Sequence, residues 1–244
     1  MVFHSTPTPT PMLTFKVMTF NIYKHNTDLE GIISVIKEAD PDILALQELT
    51  PTISDGLLRE LKESYPYNTL NSDLPVEGQG LLSKYEMMDV SDLPDYRFLS
   101  ATIQSPQGQL RVFNIHAPKI APFQWRKGWE EQRDFIEGLL QQTINLSTPV
   151  LILGDFNTTT LSKSYAQITE EFRDSFAGTG DGLGFTYPAR EKMGIKLPWP
   201  LVRIDYIFLN KYVISHETKV ILENGGSDHR PVISILSLKD NMSS

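Results

Sequence analysis

Several side chains that can hold a cation or move a proton stand where apolar segments of this chain end. They are Asn21, Glu48, His116, Asp155 and Asn157, together with Asp228 and His229, which precede the last apolar segment. The ends of strands at one edge of a β-sandwich converge, so these side chains are predicted to meet in one pocket. Their carboxylate, amide and imidazole groups suit a site that binds a metal ion and transfers protons.

The composition limits the kind of cation. The chain has no cysteine, which excludes both disulfides and thiolate metal sites. Oxygen and imidazole ligands remain, and these favour hard divalent cations. We therefore expect Mg²⁺ as the cofactor, with Mn²⁺ or Ca²⁺ as the other choices.

Taken alone, most of these motifs also have an ordinary structural explanation. The sequence Gly-Asp-Phe-Asn at 154–157 is a common turn, and His116 in an apolar strand is more often a buried core histidine. Asp205 is harder to dismiss, because it lies inside an apolar run and a carboxylate is rarely buried without a partner. His229 is the candidate for that partner.

Apolar patterns predict the elements that must position these residues. Strands are predicted at 15–22, 43–46, 80–83, 97–104, 110–115, 150–153, 203–209 and 232–238. The first helix has the capping-box spacing Thr27-Asp28-Leu29-Glu30 and is stopped by Asp40-Pro41. Further helices are predicted around 53–61, 123–142 and 162–172.

Several predicted strands are apolar on both faces, so both faces must be covered. This pattern favours an α/β sandwich in which two sheets pack on each other with helices outside. The chain has 244 residues and no internal repeat, which fits one catalytic domain at 13–240. The Pro- and Thr-rich segment at 1–12 is expected to be a disordered tail.

The segment at 173–202 breaks the regular alternation of strands and helices. It is rich in glycine and carries embedded aromatic residues such as Tyr187. Long loops in compact domains are usually functional or disordered, and aromatic residues argue for a packed loop. We interpret this segment as an irregular loop that forms a wall of the substrate cleft.

Charge and hydropathy constrain the partners and the location of the protein. The net charge of −8 disfavours a protein that coats nucleic acid without specificity, since such binding depends on Lys and Arg. The sequence shows neither a membrane-spanning run nor a secretory signal. We expect a soluble monomer with no integral membrane segment; a cytoplasmic protein and a domain separated from a membrane anchor both stay open.

Six motifs follow one another in an ordered set. They are Thr19-Phe20-Asn21-Ile22, Leu46-Gln47-Glu48, Asn114-Ile115-His116, Gly154-Asp155-Phe156-Asn157, Arg203-Ile204-Asp205-Tyr206 and Ser227-Asp228-His229. The set resembles the endonuclease/exonuclease/phosphatase superfamily, the group that includes deoxyribonuclease I, over nearly the whole chain after the tail. The resemblance implies a four-layer α/β sandwich, with two packed mixed β-sheets flanked by helices, and the hydrolysis of a phosphoester.

The resemblance also implies which residues bind the metal and activate the water. Glu48 would be the first metal ligand, with Asn21 and Asp228 completing the shell directly or through water. Asp155 would orient and deprotonate the attacking water, and Asn157 would donate its amide to a phosphate oxygen.

The remaining residues would act on the developing charge and on the substrate. His116 and His229 would donate hydrogen bonds or shuttle a proton, and Asp205 would orient His229 as the acid does in a catalytic triad. Tyr187 would stack on a base or flank a lipid or sugar group, although core packing is an equal alternative.

The expected function is metal-dependent hydrolysis of a phosphodiester or phosphomonoester by in-line attack of water. The substrate stays open among nucleic acid, phospholipid and small phosphate esters, and a nuclease acting on DNA or RNA is the main alternative. His116 favours the deoxyribonuclease, sphingomyelinase and sugar- or lipid-phosphatase branches over the abasic-site endonucleases. A non-catalytic scaffold ranks lower because the acidic residues and His229 are all present.

Overall fold

The computed structural model describes residues 13–72, 78–93, 98–120, 123, 125–189 and 199–239. The predicted tail at 1–12 and the predicted end of the domain at Asp240 lie outside these residues. The predicted domain limits therefore stay predictions.

Strands and helices alternate through the described part of the chain. The strands are β1 Phe15–Asn21, β2 Ile43–Leu49, β3 Tyr67–Asn71, β4 Gly78–Ser83, β5 Met87–Leu93, β6 Phe98–Ser105, β7 Gly108–His116, β8 Val150–Asp155, β9 Arg173–Asp174, β10 Asp205–Leu209, β11 Val213–Val220 and β12 Val232–Leu238. The helices are α1 Leu29–Ala39, α2 Pro51–Leu61, α3 Trp125–Thr143, α4 Lys163–Thr169 and α5 Ser175–Thr179. Within these residues, no helix is long and apolar enough to cross a membrane.

The strands form two mixed sheets of six strands each. Sheet 1 has the order β11-β12-β1-β2-β4-β3, and sheet 2 has the order β5-β6-β7-β8-β10-β9. The pair β1 and β2 is parallel, and so is the pair β7 and β8, while the other neighbours are antiparallel. The two strands of each parallel pair therefore run in the same direction and end on the same side of their sheet. The candidate residues lie at these strand ends.

The two sheets pack face to face over an apolar core. Val17 and Ala45 of sheet 1 and Val112 and Leu153 of sheet 2 belong to this core, and all four are fully buried. Burying such side chains stabilises the fold by about 1.5–3 kcal/mol for a fully buried valine or leucine. The interior between the sheets is thus the main source of hydrophobic stabilisation.

Helices cover the outer face of each sheet. On sheet 1, Leu46 packs in one cluster with Ile32 of α1 and Leu57 of α2. On sheet 2, a separate outer cluster joins the sheet to Ile136 of α3 and Ile168 of α4. The fold is therefore a four-layer α/β sandwich, which confirms the predicted architecture.

The first helix begins one residue later than the predicted capping box requires. Asp28, rather than Thr27, is the N-cap, and its side chain accepts a hydrogen bond of 2.8 Å from the backbone N–H of Gly31. Asn26 fixes Asp28 in place by accepting a hydrogen bond from its backbone N–H. The predicted stop is correct, because Asp40 adopts a left-handed conformation at the C-cap.

The strands without a predicted counterpart are β3, β5, β9 and β11, and each lies at the edge of a sheet. Edge strands pack on one neighbour only, so their sequences need little apolar alternation. The segment Val213–Val220 also contains a bulge between Ser215 and Glu217, which breaks its period. The patterns of edge strands are therefore weaker than those of central strands.

The prediction of an irregular loop throughout 173–202 is wrong at its start. This part of the chain forms β9 and α5, and Asp174 caps the helix by accepting a hydrogen bond from the backbone N–H of Phe176. Elements of two and five residues are too short to produce a periodic pattern. Residues 190–198 of the predicted loop lie outside the described residues.

A buried ion pair fastens this segment to sheet 2. The guanidinium of Arg203 binds both carboxylate oxygens of Asp174, at 3.0 and 2.7 Å. It also lies over the rings of Tyr206 and Phe176, and the hydroxyl of Tyr165 donates a hydrogen bond to Asp174. Bidentate geometry and the additional donor offset the cost of burying both charges.

Replacing Arg203 should destabilise the fold strongly. Arg203→Met leaves the carboxylate of Asp174 buried without its cation, which costs about 3–5 kcal/mol in the free energy of unfolding. Urea denaturation measures this loss. Arg133→Met is the matched control, because the ion pair of Arg133 with Asp134 is exposed and should contribute little. Equal losses in the two variants would contradict the structural role of the buried pair.

Candidate active site

The strand registers of sheet 2 place three candidate residues side by side. Asp155 at the end of β8 is the in-register partner of His116 on β7 and of Asp205 on β10. In-register neighbours point to the same face of a sheet, and all three residues are buried. The hydrogen-bonding pattern of the sheet therefore gathers an imidazole and two carboxylates.

Gly154 allows β8 to approach β7 closely at this point. Its φ is +148°, and a Cβ atom built on it would lie 2.0 Å from the carbonyl oxygen of Ile115. No side chain fits against a backbone atom at that distance, so any other residue would displace the strand that carries Asp155. The glycine of the Gly-Asp-Phe-Asn motif is thus required by packing.

Glu48 reaches the same place from sheet 1 because of a β-bulge. The register of β2 on β4 shifts between Gln47 and Leu49, and Glu48 has a positive φ of 59°. A bulge redirects a side chain out of the regular alternation of a strand. The Oε1 atom of Glu48 consequently lies 3.9 Å from the Nε2 atom of His116 on sheet 2.

Asn21 links the two sheets at the centre of the site. Its Nδ2 group donates to Oε1 of Glu48 at 3.2 Å and to Oδ2 of Asp155 at 3.0 Å. Its side-chain Oδ1 atom accepts a hydrogen bond of 3.0 Å from the backbone N–H of Tyr23. The amide therefore holds two carboxylates together, and its predicted role as a metal ligand stays a prediction.

Two groups of side chains have donor atoms close enough to hold one metal ion. Glu48, His116 and Asp155 form the first, with their donor atoms within 4.8 Å of one another. Asp155 also belongs to the second group, with Asp205 and His229. Among the described residues, the first group combines carboxylate oxygens from both sheets with an imidazole nitrogen, a donor set that suits Mg²⁺ or Mn²⁺.

The predicted partnership of Asp205 and His229 is present in the structure. The Nδ1 atom of His229 lies 2.9 Å from Oδ2 and 3.2 Å from Oδ1 of Asp205. Burial lowers the pKa of His229, but the carboxylates of Asp205, Asp155 and Asp228 together raise it to about 10. At neutral pH the ring is therefore an imidazolium whose Nδ1–H is donated to Asp205.

The pKa of the Asp155 carboxyl group is also shifted by its surroundings. Burial raises its pKa to about 6, although the nearby His229 and His116 partly offset this effect. Oδ2 of Asp155 lies 3.6 Å from Nε2 of His116 and 3.8 Å from Nε2 of His229. A carboxylate with a pKa close to neutrality is suited to accept a proton.

Asn157 lies in a turn after β8 and not in a continuation of the strand. Its φ of 47° places it in a left-handed turn, where its backbone N–H donates to Oδ1 of Asp155 at 2.8 Å. Its side-chain amide donates to the carbonyl oxygen of Ala117 at 3.0 Å. Asn157 still lines the same cavity as Asp155, because the turn, rather than a straight strand, directs it there.

An open cavity of about 400 Å³ lies above these residues. The predicted residues that line it are Glu48, His116, Asp155, Asn157, Asp228 and His229. The lining residues not predicted from the sequence are Tyr23, Lys24, His25, Ala117, Pro118, Lys119 and Glu131. In the sequence, Tyr23 and Lys24 follow the Asn21 motif, and Lys119 follows the His116 motif, so their positions could have indicated a place in the cavity. Nothing in the sequence indicates such a place for Glu131 on α3.

Tyr187 contacts the site from the wall formed by the segment after α5. Its ring centroid lies 4.8 Å from that of His229, and the Nζ atom of Lys119 lies 5.4 Å from the same ring. Tyr187 therefore packs against one face of the imidazole. Its predicted contact with the substrate stays a prediction.

A model of the endonuclease/exonuclease/phosphatase family matches residues 18–229, a span that includes every candidate residue of the site. The chain belongs to this family. Members of the family are hydrolytic nucleases and phosphatases, which supports a hydrolase. No curated protein matches the chain.

Solved structures show the fold of the family at low sequence identity. The D. rerio TDP2 complexed with single-strand DNA product has a TM-score of 0.75 at 18% identity, and the match covers 92% of this chain and 99% of that chain. The 3′ phosphatase NExo from Neisseria, bound to a product DNA hairpin, has a TM-score of 0.73 at 18% identity, with coverages of 92% and 99%. An AP endonuclease from Archaeoglobus fulgidus has a TM-score of 0.72 at 18% identity, with coverages of 92% and 100%.

Asp155→Asn should stabilise the metal-free protein at neutral pH. The folded-state pKa of about 6 exceeds the ordinary value of 3.8, so ionising Asp155 costs stability as the pH rises through 6. The variant lacks this cost, and its free energy of unfolding should be higher by roughly 1–3 kcal/mol at pH 7.5 and unchanged near pH 4.

Urea denaturation in chelator between pH 4 and pH 8 measures this difference. Asp55→Asn, on the exposed face of α2, is the control and should show no such pH dependence. If Asp155→Asn is less stable than the parent at pH 7.5, the buried carboxylate does not lower the free energy of unfolding, and the prediction is wrong.

Proposed function

We propose that this protein is a metal-dependent phosphoesterase that hydrolyses a phosphodiester or phosphomonoester by in-line attack of water. The observation that carries the proposal is the surroundings of the Asp155 carboxylate. It lies close to Asn21 of sheet 1, to His116 of sheet 2 and to His229 of the loop before β12, at the floor of a polar cavity. A base, an acid and metal donors therefore share one open space.

Glu48, His116 and Asp155 are the residues that would hold the cation. The predicted ligands Asn21 and Asp228 lie beside them, Asn21 through its bonds to both carboxylates and Asp228 on the cavity wall. Carboxylate oxygens fit Mg²⁺, and the imidazole also suits Mn²⁺. When bound, the cation would neutralise charge on the phosphoryl group and polarise its oxygen.

Asp155 is the proposed general base. In the metal-free site, burial raises its pKa to about 6, so it is ionised at neutral pH and more basic than an ordinary carboxylate. The backbone N–H of Asn157 fixes Oδ1, so the carboxylate keeps one orientation. The remaining oxygen faces the imidazoles and Asn21, at the side where the cation would bind.

His229 is the proposed general acid. Its raised pKa of about 10 keeps it protonated, and Asp205 holds its Nδ1–H. The Nε2–H group can then donate to the developing charge on the substrate or to the leaving oxygen. The surroundings thus give the two groups different roles. The His229 imidazolium can donate a proton and the Asp155 carboxylate can accept one, although they lie less than 4 Å apart.

The other polar groups of the cavity would bind the phosphoryl group. Asn157 lines the cavity and has a second amide N–H beyond the one given to Ala117. Lys24 and Lys119 add positive charge to the rim. Tyr187 could stack on the group attached to the phosphate, as its position beside His229 allows.

A nucleic-acid substrate is the second candidate. The TDP2 structure contains a single-strand DNA product and the NExo structure a DNA hairpin, and both share this fold. The ammonium groups of Lys24 and Lys119 would suit a phosphodiester backbone. The net charge of −8 and the open, small cavity favour an end, a single strand or a small ester over duplex DNA.

Hydrolysis of bis-p-nitrophenyl phosphate should require added Mg²⁺ or Mn²⁺ and stop in chelator. His229→Ala and Asp155→Asn should each lower kcat by at least about 100-fold, because each removes one proton-transfer group. Release of p-nitrophenol measures the rate. His216→Ala and Asp55→Asn are matched controls outside the cavity and should keep nearly full activity.

Two results would contradict this mechanism. One is activity that persists at full rate in chelator after extensive dialysis. The other is a purified, folded His229→Ala or Asp155→Asn variant with the parent's rate, since neither group would then transfer a proton.

A substrate panel with Mg²⁺, Mn²⁺ and Ca²⁺ should identify the group attached to the phosphate. We expect single-stranded DNA or a terminal phosphate, sphingomyelin, phosphatidylinositides or sugar phosphates to exceed duplex DNA in kcat/KM. Rates measured against each substrate at equal metal concentration decide among them. A preference for uninterrupted duplex DNA would overturn the expectation drawn from charge.

A further inference from the structure

A buried polar network lies between the two sheets, beneath the candidate active site. Nε2 of Gln47 on sheet 1 donates to Oδ1 of Asn114 on sheet 2 at 2.7 Å, and also to Thr19 Oγ1 at 3.1 Å. Nδ2 of Asn114 donates to the backbone carbonyls of Leu46 and Gly80, each at 2.9 Å. The three polar side chains have no exposed surface.

This network is set in the apolar interior of the sandwich. The core residues around it, such as Val17, Ala45 and Val112, make only non-directional contacts. Such contacts tolerate small sliding of one sheet over the other, whereas hydrogen bonds require a narrow range of distance and angle. The Asn114 amide uses both its donors and its acceptor on sheet 1, so it specifies one relative position of the sheets.

The network lies directly beside the residues that would bind the metal. Gln47 precedes Glu48 at the bulge, and Asn114 lies two residues before His116 on β7. Leu46 lies two residues before Glu48 on β2, so Asn114 contacts the backbone of sheet 1 close to the point where Glu48 is redirected. A shift of the sheets at this level would move Glu48 relative to His116 and Asp155.

We propose that Asn114 and Gln47 are positioning residues that lock the two sheets in register, so that Glu48 of sheet 1 keeps its spacing to His116 and Asp155 of sheet 2. The inference rests on the proposed function insofar as these three residues hold the cation. Asn21 also bridges the sheets, but its bonds end on the carboxylates themselves. The Asn114 network acts on the backbone instead, so it preserves the spacing whatever the carboxylates bind.

Asn114→Ala is the direct test, with Mn²⁺ binding measured by calorimetry without substrate. We expect the Kd for Mn²⁺ to rise at least tenfold. Val112→Ala is the matched control, because Val112 lies two residues earlier on the same strand, is equally buried and faces the same core. It should lower Tm as Asn114→Ala does while changing the Kd for Mn²⁺ by less than twofold.

Gln47→Met is a milder second variant in case Asn114→Ala does not fold. It removes the bonds from Gln47 but leaves those from Asn114 to the two backbone carbonyls. We expect a smaller rise in the Kd for Mn²⁺, in the same direction. An unchanged Kd in a folded Asn114 variant, or an equal rise in Val112→Ala, would overturn the inference.

A crystal structure of the metal-free Asn114→Ala protein separates this inference from the proposed function. We expect the distance between Glu48 Oε1 and His116 Nε2 to depart from 3.9 Å by more than 1 Å. Retention of that distance overturns the positioning role. If the parent protein binds no Mn²⁺, the proposed metal site fails, while the crystallographic distance still decides the role of Asn114.

Discussion

The site depends on one constraint, the burial of the Asp155 carboxylate at the junction of two sheets. A buried charge is costly unless other groups pair with it, and here those groups come from four separate parts of the chain. Asn21 donates from sheet 1, Asn157 from the following turn, and His116 and His229 lie on either side. Supplying these partners requires the sheets, the turn and the final strand to meet at one point.

The sandwich divides the candidate metal donors between its two sheets. This arrangement lets short strands with ordinary apolar sequences present polar groups at their ends, but it makes the site sensitive to the relative position of the sheets. The backbone also deviates from regular geometry here, with positive φ at Glu48 and Asn157 and a close approach at Gly154. Unusual conformations concentrated at one place are typical of functional sites, where the fold offsets their cost.

Membership of the endonuclease/exonuclease/phosphatase family accounts for the fold and for a hydrolytic site, whereas the substrate depends on the walls of the cavity. Two solved structures that share this fold at 18% identity hold different DNA products, a single strand in one and a hairpin in the other. In this chain, Lys24 and Lys119 line the cavity, and the ring of Tyr187 lies against Lys119 and His229. These residues, rather than the acids at the floor, are where specificity would be set.

The sequence alone determined the central strands, the two-sheet architecture and six of the residues that line the cavity, because apolar runs and the polar groups at their ends are local signals. Even the partnership of Asp205 with His229 followed from the cost of a buried carboxylate. Only the tertiary structure decided the edge strands, the bulge at Glu48, the left-handed turn at Asn157 and the network around Asn114. Each of these depends on which strands become neighbours and how the sheets are aligned, and contacts between distant parts of the chain leave no periodic pattern in the sequence.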